Sequence, residues 1–115
     1  MAQLAIRSRP SVRVVGPAPD RESRDWVEAL SDTGPAREAA VERLHALLLR
    51  AARFEVARRQ RAAGVSLGGS GELDDLAMHA ADDALVAILR KLHTYRGDSR
   101  FTTWAYKFAL LEAAV

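Results

Sequence analysis

From Pro35 to about Ala63, apolar residues return at steps of three and four: Ala40, Leu44, Leu47, Leu48, Ala51 and Phe54. That spacing matches the turn of an α-helix, not the two-residue alternation of a half-buried strand, and it predicts a long helix with one stripe facing a core. Pro35 suits the first helical position, because its missing N–H is an orphan there anyway. Arg37, Arg43, Arg50, Arg53, Arg58, Arg59 and Arg61 fall mainly on the remaining surface. They crowd toward the C-terminal end, where positive charge complements the helix dipole. A helix of this kind needs neighbours to cover its stripe, and the rest of the chain supplies more helices.

Asp20–Leu30 reads as a short helix with Asp20 as its N-cap and Trp26, Val27 and Leu30 as its apolar face. Gly64–Gly71 holds four glycines in eight residues and reads as a loop. A third helix is expected from about Glu72 to Tyr95, with Glu72, Asp74 and Asp75 in its first turn and an apolar arc of Leu73, Leu76, Ala77, Ala80, Ala84, Ile88 and Leu92. Arg96-Gly97-Asp98-Ser99 is a tight break, and Asp98 or Ser99 is expected to cap a fourth helix that continues to Val115. Phe101, Trp104, Phe108 and Leu111 fall on one face of it. No stop signal ends that helix, so the chain reads as cut short. The fold class expected is therefore all-α: a compact bundle of three main helices with a short N-terminal one, over residues 20–115.

Composition agrees. The 115 residues fit one domain of modest size plus a tail, and hydrophobic residues at 49% with charged residues at 28% are an ordinary globular balance. Aromatics are only 6%, which favours helices over sheets. Met1 to about Pro19 carries Arg7, Arg9 and Arg13 with no acid, plus three prolines, and reads as a flexible basic tail; a short strand through Val12–Val15 competes with that reading. No apolar run approaches the roughly 20 residues of a membrane span, and the first residues lack the apolar stretch of a secretory signal. A cytoplasmic protein is the default expectation.

Enzyme chemistry finds little to work with. Cysteine is absent, which excludes thiolate nucleophiles and cysteine metal sites. His45, His79 and His93 share no ligand spacing, and the glycine-rich loop lacks the lysine and hydroxyl of a phosphate-binding loop. Asp74-Asp75 and Asp82-Asp83 are adjacent pairs, and neighbours on a helix point about 100° apart. No catalysis and no cofactor are expected.

Two surfaces carry more. On the third helix, Asp75, His79, Asp82, Asp83, Val86 and Arg90 form a polar face with an apolar residue in its middle. Such a face is either simply solvated or suited to docking on a basic helical partner, where rim charges steer and the apolar centre binds. From Tyr95 to Lys107, cations and four aromatics surround a helix start. Amides at a helix N-terminus and basic side chains favour phosphate, and aromatic planes accept unstacked bases. Phe101, Trp104 and Phe108 share a face that belongs to a core sooner than to a base platform, while Thr102, Thr103, Tyr106 and Lys107 are left for contacts.

The run Ala81–Ala109, with Tyr95-Arg96-Gly97-Asp98-Ser99-Arg100-Phe101-Thr102-Thr103-Trp104 at its centre, resembles region 2 of bacterial RNA polymerase sigma factors of the sigma-70 family, extracytoplasmic-function group. The resemblance implies a compact helical domain that docks on the clamp helices of the polymerase β′ subunit and helps open promoter DNA at the −10 element. By position it implies polymerase binding by Asp82, Asp83, Val86 and Arg90. It likewise implies DNA binding by Arg96, Arg100, Phe101, Thr102, Thr103, Trp104 and Lys107. Three positions depart from the family pattern: Asp82 stands where glutamine is common, Asp74-Asp75-Leu76 comes about one turn early, and Leu111 stands where asparagine is frequent. The second half of the −10-reading module and the domain that reads the −35 element are missing. The alternative is a helical interaction domain that binds only protein, such as an anti-sigma factor.

Overall fold

The chain enters its first helix through a cap. In the computed structural model, which describes residues 20–64 and 70–114, the Asp20 side chain accepts a 2.7 Å hydrogen bond from the Ser23 N–H and opens helix α1, Arg21–Ser31. Hydrogen bonds from Ser23, through its side chain first and its backbone second, hold the Asp20 carboxyl below the usual carboxylate range. Gly34, at φ 81°, turns the backbone where a Cβ would be strained, and Pro35 starts helix α2, Pro35–Ala63. Gly64 closes α2 in the left-handed conformation. Helix α3 covers Ser70–Lys91, and a short 3-10 turn, Leu92–Thr94, follows it. Helix α4 is Phe101–Ala113. The expected tail and the competing strand at Val12–Val15 lie outside the described residues.

The protein is an all-α bundle, with no strand among the described residues. The fourfold count is more even than expected, because α1 with 11 residues is nearly as long as α4 with 13 and contributes Trp26 and Leu30 to the core. Two helix ends differ from the expected ones. The third helix stops at Lys91 and not at Tyr95, where the Thr94 hydroxyl donates to the Lys91 carbonyl at 2.6 Å and the last turn tightens. The fourth helix ends at Ala113, and Val115 lies outside the described residues.

The core has two parts. Around the start of α4, Trp26, Leu30, Leu44, Leu48, Ile88 and Phe101 are buried together with the alanines of α3 and α4. Toward the far end, Ala52 and Val56 of α2 meet Ala77 and Ala80 of α3. The buried apolar residues of α2 are Ala40, Leu44, Leu48, Ala52 and Val56, an interval of four. Four is longer than one helical turn, so the buried stripe drifts around α2 as its neighbours change. Phe54 falls off it and stands 65% exposed, and Leu111 of α4 is 68% exposed; both were expected on core faces. Glu55 takes a place near the stripe because Arg58 and Arg59 hold its carboxylate at 2.7 Å each, which lowers its pKa against the opposing effect of burial.

Candidate interaction surfaces

The last two helices are joined by a turn that aromatic packing holds in shape. Phe101 is fully buried, stacked on Trp26 at 5.5 Å between ring centroids and met edge-on by Tyr95 at 5.4 Å. Trp104 is half-buried between Tyr95 and Phe108. The Tyr95 hydroxyl donates to the Ser99 carbonyl at 2.6 Å, and Gly97 sits buried at φ 82°, a conformation that side chains disfavour. Arg96 leaves this turn exposed, paired with Asp98 at 3.0 Å.

Neither Asp98 nor Ser99 caps α4, contrary to expectation. Arg100 occupies the capping position without a side-chain bond, and the Phe101 N–H is satisfied by the hydroxyl of Ser23 at 2.9 Å. Ser23 is itself buried in α1, so the start of one helix caps the start of another. The Arg100 side chain reaches Asp20 at 3.6 Å across the same junction.

Among the residues placed on the DNA side by resemblance, Arg96, Arg100, Thr103 and Lys107 are exposed and Thr102 and Trp104 are half-exposed. Phe101 is not available: sealed against Trp26, it shapes the surface from beneath. Thr103, Tyr106, Lys107 and Leu110 recur at steps of three and four and are all exposed, so the outer face of α4 continues from the turn. Leu110 is an addition to that face that was not anticipated.

The polar face of α3 is exposed along its length, from Asp75 through His79, Asp82, Asp83 and Val86 to Arg90. Val86 is 48% exposed in the middle of it. On one flank, His45 of α2 meets Asp82 through Nε2 and Oδ1 at 2.8 Å. On the other, His79 and Asp83 rim a groove of about 460 Å³ floored by Val56, Ala80 and Ala113 and edged by Leu76, which is 50% exposed despite its expected place in the apolar arc. Of Asp82, Asp83 and Arg90, Asp82 is the one with a side-chain partner among the described residues, the His45 ring. His45 and Ser23 were invisible as site residues in the sequence, since their partners lie 37 and 78 positions away.

Among the described residues no group of three or more His, Asp or Glu side chains is arranged to hold a metal ion, and no helix is long and apolar enough to cross a membrane. No family model, curated protein or solved structure matches the chain.

Proposed function

We propose that the chain is a transcription-initiation module of the sigma region 2 type, which binds core RNA polymerase through α3 and −10 promoter DNA through the turn and outer face of α4. The observation that carries this reading is a separation of charge. Asp82 and Asp83 flank exposed Val86 on one element, with Asp75 further along the same face, while Arg96, Arg100 and Lys107 stand exposed on another, where Asp98 pairs with Arg96 and Asp20 with Arg100.

The roles follow from those positions. Val86 gives the β′ clamp helices an apolar contact, and Asp82, Asp83 and Arg90 set its orientation, since charges around an apolar centre govern encounter and register. Arg96, Arg100 and Lys107 neutralise phosphates. Thr102 and Thr103 hydrogen-bond to sugar, phosphate or base edges, and the half-exposed ring of Trp104 accepts an unstacked base. Strand opening then needs no hydrolysis. Capture of the exposed strand offsets the few kcal/mol of unpairing. The module belongs in the cytoplasm, with polymerase, promoter DNA and any anti-sigma factor as its partners, and it uses no cofactor.

Titrating a single-stranded −10 oligonucleotide with the chain at several salt concentrations tests the DNA side. Three cations at the strand give a slope of log K against log[salt] of about −2. Removing Arg96 or Lys107 flattens the slope by about 0.7 each. Binding that is absent, or indifferent to salt and to both variants, leaves the protein-only alternative.

A further inference from the structure

The face of α2 opposite its contact with α3 belongs to neither surface above. At about 100° per residue, Arg43, Leu47, Arg50, Phe54, Arg58 and Arg61 lie within about 40° of one line along the helix. All but half-buried Leu47 are exposed, Phe54 to 65%. Ala52 and Val56, buried against α3, lie on the opposite side of the helix. No acidic residue interrupts the line. Arg43 rests over the Trp26 ring at 4.5 Å and Arg58 is held by Glu55, which fixes both guanidinium groups. Arg50 and Arg61 make no ion pair among the described residues. The exposed phenyl ring of Phe54 lies between Arg50 and Arg61, two cations without an ion-pair partner among the described residues, and an acidic partner with an apolar side chain complements both.

We infer that this face of α2 is a docking site for an acidic amphipathic helix of a partner protein. Leu47 and Phe54 are seven residues apart, the repeat of a helix–helix seam, and the arginines flank them as charges flank such a seam. A partner helix with apolar residues at the same repeat and carboxylates beside them satisfies both features at once. Single-stranded nucleic acid suits the face less well, because such strands are held by successive aromatic platforms and this line offers one ring. The inference is independent of the proposed polymerase and promoter contacts, since none of its residues lies in them.

The test uses the full chain and three defined probes. One is a synthetic peptide of three heptads with leucine at the seam and glutamate beside it; the second is single-stranded DNA; the third is the chain itself at rising concentration. Phe54→Ser and the double variant Arg50→Glu/Arg61→Glu report on the face, with thermal melting as the check on folding, which an exposed position leaves unchanged. The expected result is peptide binding accompanied by a gain in helical circular dichroism and weakened about tenfold by either change. Peptide binding that both variants retain overturns the inference. So does DNA binding or self-association that depends on Phe54, because the face then has a different occupant.

Discussion

The two ends of the bundle are built from different material. Around the turn into α4, five aromatic residues, Trp26, Tyr95, Phe101, Trp104 and Phe108, form a connected chain of ring contacts. At the far end, α2 and α3 meet through Ala52, Ala77 and Ala80 with Val56 as the largest buried side chain. Bulky rings fix the geometry of a turn, whereas small residues bring helix backbones together and leave room for a groove beside them. The ring-packed end therefore holds its exposed turn in one geometry, and the thin end leaves an apolar recess next to the α3 face.

That contrast can be broken most severely at Phe101. Phe101→Ala removes a fully buried ring and is expected to cost about 3–5 kcal/mol in urea denaturation; a loss under about 1 kcal/mol would show that the ring cluster does not hold the turn. At the other end the vulnerable direction is the reverse. Ala77→Leu forces volume between α2 and α3 and is expected to cost about 1–3 kcal/mol, while an unchanged melting temperature would mean that the helices have slack there.

A smaller effect sharpens the comparison through pH. The carboxylate of Glu55 has its pKa lowered by Arg58 first and Arg59 second, against burial. A lowered folded pKa gives stability that is present above the unfolded value, about 4.3, and that fades as pH falls through the folded one. Melting followed from pH 7 down to pH 3 should show Glu55→Gln losing less stability than the parent over the acid part of that range. Parallel curves would remove Glu55 from the account.

Much of this was legible locally. Asp20 as cap, Pro35 as first helical residue and the burial of Leu44, Leu48, Ala84 and Ile88 follow from short-range chemistry and period. Phe54, Leu76 and Leu111 were misplaced for one reason: a periodic pattern shows that a stripe exists but not how it drifts as neighbours change. A carboxylate near the buried stripe, Glu55, also disguised the true register. The cap on α4 was beyond local reach because Ser23 supplies it from another helix, and the same holds for His45 beside Asp82. For the candidate surfaces, the exposed character of Asp82, Asp83, Val86, Arg90, Arg96 and Lys107 was readable from the sequence, whereas the burial of Phe101 required the packing of Trp26 upon it.

The proposed function rests most heavily on docking of the exposed α3 face on polymerase. Binding of the chain to an isolated β′ clamp-helix fragment, compared with binding by Asp83→Arg, measures it directly. The account predicts that reversing this one exposed charge abolishes docking while helical circular dichroism and melting stay as they were. Equal affinity of the two proteins for the fragment would contradict it.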